Sequence, residues 1–100
     1  MNASKVSDGA TFETTTTGPT TVLVADDNRV DQLILSSIVK RHGYEVLVAS
    51  DGDEALAMYT EHEPEMVLLD VIMPGRDGLA VARELRRRVG DRFLPIIFLT

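Results

Sequence analysis

In Thr21-Val-Leu-Val-Ala-Asp-Asp27 an unbroken apolar run ends abruptly in two adjacent carboxylates. A run of this length without in-and-out alternation marks a strand buried on both faces, as in a parallel sheet covered by helices. The pattern recurs in Met66-Val-Leu-Leu-Asp70, where a second apolar run closes on a third aspartate. Ligand crevices of parallel sheets lie beyond the carboxyl ends of the strands, so Asp26, Asp27 and Asp70 are delivered to one edge. Three negative charges that close repel and raise one another's pKa, a conflict that a hard, oxygen-seeking cation relieves. The residues therefore read as a magnesium site with a nucleophilic aspartate.

Working outward, strands alternate with helices. Asn28 to about His42 has Val30, Leu33, Ile34 and Ile38, with Leu35 and Val39 beside them, as a broad apolar helical face, and Gly43 suits its C-terminal end. Tyr44 to Ala49 reads as a strand. Asp51, with Glu54 three positions on, has the form of a capping arrangement for a helix from Gly52 to His62, whose inner side is Ala55, Leu56, Met58 and Tyr59. Pro64 separates it from the strand Met66 to Leu69. After the loop 71–77, Asp77 caps a helix from Gly78 to about Val89 that turns Leu79, Ala82, Leu85 and Val89 inward and ends at Gly90. Pro95 to Leu99 is a fourth strand with Thr100 at its end. The order βαβαβαβ implies right-handed crossovers and a doubly wound parallel α/β sheet.

The 100 residues suit one domain, and 44% hydrophobic residues suffice for a core. With 10 basic and 16 acidic side chains, the formal charge of -6 argues against binding nucleic acid or anionic lipid through charge alone. The absence of cysteine excludes disulfides, zinc-thiolate sites and thiol nucleophiles. Residues 1–20, rich in Ser, Thr and Gly, are expected to form a disordered leader. No stretch approaches the roughly 18 to 20 apolar residues of a membrane span, so a soluble, cytoplasmic chain is expected. There is no P-loop and no Gly-x-Gly-x-x-Gly.

Over residues 21–100 the chain resembles the receiver domain of bacterial two-component response regulators. The likeness rests on Asp26-Asp27 after the first strand, Asp70 after the third, Met73-Pro-Gly-Arg-Asp-Gly78 opening the third helix, and Thr100 closing the fourth strand. It implies a flavodoxin-like fold of strand order 2-1-3-4-5. It also implies that Asp70 is the phosphoacceptor, attacking a phosphoryl group carried by a histidine kinase or a histidine phosphotransfer protein. By the same resemblance, Asp27, Asp70 and the backbone carbonyl of Ile72 coordinate Mg2+, Asp26 orients a magnesium-bound water and partly contacts the metal, and Thr100 is the switch hydroxyl. Pro74 and Gly75 shape the loop beside the metal, and Gly78 lets the backbone approach closely or begin the helix without strain. The domain is then a signalling module rather than an enzyme, although it catalyses its own phosphorylation and dephosphorylation. Its partners are the phosphodonor and a C-terminal output domain or protein partner, with a homodimer allowed and no direct contact with nucleic acid or membrane. A complete receiver carries a further helix, a fifth strand with a lysine beside the site, and a last helix; the expectation is a receiver that is incomplete at its C-terminus, with the face of Val30, Ile34 and Ile38 partly uncovered. Ile72, apolar and two residues past the nucleophile, is expected to hinder the attacking water and slow dephosphorylation.

Each residue also has a plainer reading. Asp26 and Asp27 could serve only as turn and cap residues, an explanation weakened by Asp70 in register with them. Asp77 is better read as a cap than as a catalytic group. His42 and His62 lie near helix ends and suit solvent or the helix dipole. Arg83, Arg86, Arg87, Arg88 and Arg92 read as a solvated basic face. Two other functions compete. One is a magnesium-dependent phosphohydrolase with an aspartyl-phosphate intermediate, disfavoured because such enzymes commonly carry Asp-x-Asp after the first strand. The other is a receiver-like interaction module that is never phosphorylated.

Overall fold

A computed structural model describes residues 20–99; residues 1–19 of the expected leader and the switch candidate Thr100 lie outside the described residues. The elements are β1 (Thr21–Ala25), α1 (Arg29–Arg41), β2 (Glu45–Ala49), α2 (Gly52–His62), β3 (Met66–Asp70), α3 (Gly78–Val89) and β4 (Ile96–Leu99). All pairings are parallel and the sheet order is β2-β1-β3-β4, the first four positions of the expected 2-1-3-4-5 arrangement.

β1 is the innermost strand. Val22, Leu23, Val24 and Ala25 are each at most 1% exposed, which is why the run shows no polar alternation. Its residues nonetheless alternate between two cores. Leu23 and Ala25 join Val67, Leu69, Leu56, Tyr59, Val81 and Leu85 beneath α2 and α3. Val22 and Val24 join Val39, with Leu35 and Leu68 packed alongside, beneath α1.

The helix ends follow the cap chemistry. Asn28, Asp51 and Asp77 each accept a hydrogen bond from the backbone N–H three residues on, at 2.9, 2.7 and 2.9 Å. Glu54 answers from the other side, accepting from the Ser50 N–H at 2.6 Å. α2 ends with Glu63 in a left-handed conformation (φ 47°), immediately before Pro64.

The α1 face of Val30, Ile34 and Ile38 is uncovered, as expected of an incomplete receiver, whereas the expected inner face of α3 is corrected. In α1 the seam that meets the sheet is Gln32, Leu35 and Val39, whereas Val30, Leu33, Ile34 and Ile38 are exposed. The apolar face is broader than the contact it makes: a helix beside one sheet buries a single stripe, and the polar Gln32 lies in that stripe. In α3 the buried residues are Val81, Leu85 and Val89, with Ala82 partly covered, while Leu79 is exposed. The i, i+4, i+8 row Val81, Leu85, Val89 faces the core, and Leu79, two residues before Val81, falls on the opposite side.

On the outer side of α3, Glu84 holds both Arg87 and Arg88, and Arg88 reaches Thr60 of α2 at 2.8 Å. The paired guanidinium groups draw the Glu84 carboxyl down to about 2. Among the described residues, no helix is long and apolar enough to cross a membrane.

Candidate functional site

The carboxyl ends of β1 and β3 lie side by side, with Ala25 registered against Leu69. Residues that follow these positions must therefore emerge together. Asp26, Asp27 and Asp70 do so, each offering a carboxylate oxygen, with all these atoms within 4.8 Å of one another. Their settings differ: Asp26 is buried, Asp70 half-buried and Asp27 exposed.

Asp26 still belongs to the sheet through its N–H, which donates to the Ala49 carbonyl at 3.0 Å. Its carboxylate accepts from the Asn28 N–H at 2.9 Å. Burial pushes the Asp26 carboxyl up; the Asn28 hydrogen bond opposes that, and the negative charges of Asp70, Asp31 and Asp27 add to it. Asp70 ends β3, and one of its carboxylate oxygens accepts from the Ile72 N–H at 3.2 Å in a tight turn. That turn leaves the Ile72 side chain 80% exposed and keeps its peptide next to Asp70.

The loop from Val71 to Asp77 folds back onto β3 because the Gly78 N–H donates to the Val71 carbonyl at 2.8 Å. Gly78 is required for space: a Cβ there would overlap the Asp70 carbonyl oxygen and stand 2.8 Å from the Val71 Cα. Arg76 anchors the loop's far end to α2 through Asp53, at 3.1 Å. Asp77 serves as a cap, as expected.

Asp26 and Asp70 open onto a cavity of about 330 Å³, bounded also by Asp31, Ile34, Leu35 and Leu99. The site is thus an acidic corner with an apolar wall. Such a donor set, all oxygen and without His or Cys, suits Mg2+. Neither histidine joins it: His42 meets the Ile38 carbonyl at 2.9 Å, and His62 lies beside Glu61. Gln32 is not singled out by the sequence, yet its buried amide donates to the Asp26 carbonyl at 2.6 Å. The available signal is a polar residue in helical register with Leu35 and Val39.

Comparison with known proteins agrees with this geometry. The chemotaxis protein CheY4 of Vibrio cholerae is 31% identical with a TM-score of 0.76, over 81% of this chain and 68% of that one. The N-terminal domain of a response regulator receiver protein from Methanoculleus marisnigri JR1 is 30% identical with a TM-score of 0.74, over 80% of this chain. This chain spans 65% of the length of that domain. The response regulator TrrA of Thermotoga maritima, solved in complex with Mg2+-BeF, is 26% identical with a TM-score of 0.73, over 81% of this chain and 87% of that one. The family model for the response regulator receiver domain matches residues 22–100. With that match spanning both acidic strand ends, the chain belongs to the response regulator receiver domain family.

Proposed function

We propose that this receiver is phosphorylated on Asp70 by a histidine kinase or a histidine phosphotransfer protein, with Mg2+ held by Asp26, Asp27, Asp70 and the Ile72 carbonyl. The observation that carries this reading is the convergence of three carboxylate oxygens within 4.8 Å, with Asp26 and Asp70 lining an open cavity. That TrrA was solved with Mg2+-BeF supports a magnesium site here.

Each residue has a definable task. Asp70 supplies the nucleophile: one carboxylate oxygen bonds to phosphorus while the donor's P–N bond breaks and its electron pair returns to the imidazole. The Ile72 N–H holds the other carboxylate oxygen, aligning the attack. Asp27, the most exposed of the three, is free to meet a partly hydrated cation, and buried Asp26 holds the inner side of the site. Bound Mg2+ supplies charge neutralisation on the transferring oxygens, which is most of what phosphoryl transfer needs.

Thr100, directly after β4, is the switch hydroxyl in this reading. Turning toward the phosphoryl group, it would bias a neighbouring surface between two states that an output domain or protein partner reads. The domain is then a cytoplasmic signalling switch rather than a metabolic enzyme. The test is magnesium-dependent incorporation of phosphate from a small acyl phosphate. The parent chain should be labelled and Asp70→Asn should not; equal labelling of both would remove Asp70 from the mechanism.

A further inference from the structure

We propose that Gln32 is a positioning residue for the acidic pair, clamping the peptide between Asp26 and Asp27 so that both carboxylates face Asp70. The inference rests on the magnesium reading above. Gln32 is 8% exposed, a polar residue in a helix seam otherwise made of Leu35 and Val39. Its Nε2 donates to two different loops, to the Asp26 carbonyl at 2.6 Å and to the Ser50 hydroxyl at 3.1 Å. Ser50 is itself held, its N–H donating to Glu54 in the first turn of α2.

The carbonyl that Gln32 holds is the decisive one. A peptide unit is planar, so fixing the Asp26 oxygen fixes the plane that carries the Asp27 Cα. The Asp26 N–H is bound to Ala49 and its carboxylate to the Asn28 N–H. The Gln32 amide is the third restraint. Without it, the buried carbonyl would lose its partner and the plane would turn toward another donor or water. Asp27 would swing relative to Asp70, and Mg2+ tolerates such displacement poorly because it demands near-octahedral geometry. Outer-shell groups of this kind typically govern metal affinity by about 10–100-fold.

Gln32→Met in the full chain keeps the length of the side chain and removes both donors. Two readouts are taken: the amide resonances of Asp26 and Asp27 in metal-free protein, and Mg2+ affinity by calorimetry. The clamp predicts shifted amides and affinity weakened by about tenfold. Should Gln32→Met not fold, Ser50→Ala removes the outer anchor and should weaken Mg2+ binding by about threefold. Leu56→Ala, in the core below α2, should lower stability while leaving the affinity of the folded protein unchanged. Affinity within about twofold of the parent in both Gln32→Met and Ser50→Ala would overturn the proposal. A parent chain that takes up no Mg2+, with amides that still shift in Gln32→Met, would sink the magnesium reading and leave the clamp standing. Unshifted amides would sink the clamp itself.

Discussion

Replacing Gly78 by alanine puts one methyl group where the structure has none to spare. The added Cβ would overlap the Asp70 carbonyl oxygen, with the Asp70 carbonyl carbon at 2.9 Å and the Val71 Cα at 2.8 Å. All three neighbours are backbone atoms, so no side chain can rotate away, and the strand end or the helix start must move. Gly78 does not have a positive φ, so the demand is for space and not for an unusual conformation. Overpacking of this kind costs about 1–3 kcal/mol. Alanine recovers about 0.4–1 kcal/mol through the lower entropy of the unfolded chain. The net loss is then centred on about 1.3 kcal/mol, with a span of about 0–2.6 kcal/mol, and the central value lowers Tm by roughly 5–10 °C for a domain of this size. The shift falls on Asp70, the proposed phosphoacceptor, so labelling by an acyl phosphate should slow by about ten- to a hundredfold in protein that is still folded. Urea unfolding and the labelling rate, taken on the same samples, decide the matter. A variant as stable as the parent and labelled as fast would refute the close crossing of Gly78 over Asp70.

Further outcomes are expected. Leu85→Ala, at a fully buried position against the sheet, should cost about 2–5 kcal/mol in urea unfolding; a loss below about 1 kcal/mol would contradict the packing of α3. Exchange of Ile72 for asparagine should shorten the lifetime of the phosphorylated form, followed by loss of label after removal of the donor, because a polar side chain there can guide water to Asp70; a longer lifetime would sink that idea. Glu84, lowered to about 2 by Arg87 and Arg88, favours the folded state above its ordinary pKa of 4.5, and this contribution is lost as pH falls toward 2. The difference in Tm between parent and Glu84→Gln should accordingly be larger at pH 6 than at pH 3 and should shrink in high salt; a difference independent of both would exclude the ion pairs as its source.

The acidic corner was legible because its cause is topological. Apolar runs without alternation required a parallel sheet, and a parallel sheet brings the residues after β1 and β3 to one edge. Helix limits were legible for a similar reason, since Asn28, Asp51 and Asp77 cap at the positions their side chains suggest. Which stripe of α1 meets the sheet was not. Val30, Leu33, Ile34, Leu35, Ile38 and Val39 cover more than half of the helix, and local periodicity cannot choose among overlapping stripes of equal hydrophobicity. The choice went to the stripe containing Gln32, whose buried amide satisfies the Asp26 carbonyl, a contact between residues of different elements that composition does not encode. The exposure of Leu79 has the same origin, because α3 packs Val81, Leu85 and Val89 into the core it shares with α2 and the sheet, a contact between elements that local periodicity does not encode. Gly78 was legible as a close backbone approach or an unstrained helix start, and the structure decides for the close approach, to Asp70.

In the proposed mechanism Asp70, among the clustered carboxylates, receives the phosphoryl group. This step is tested most directly by phosphorylating the chain with an acyl phosphate in Mg2+, reducing the acyl phosphate formed with borohydride, and locating the resulting homoserine by mass spectrometry. Homoserine is expected at position 70, dependent on Mg2+ and absent from untreated protein. Homoserine at position 26 or 27 instead, or formed equally without Mg2+, would contradict that mechanism.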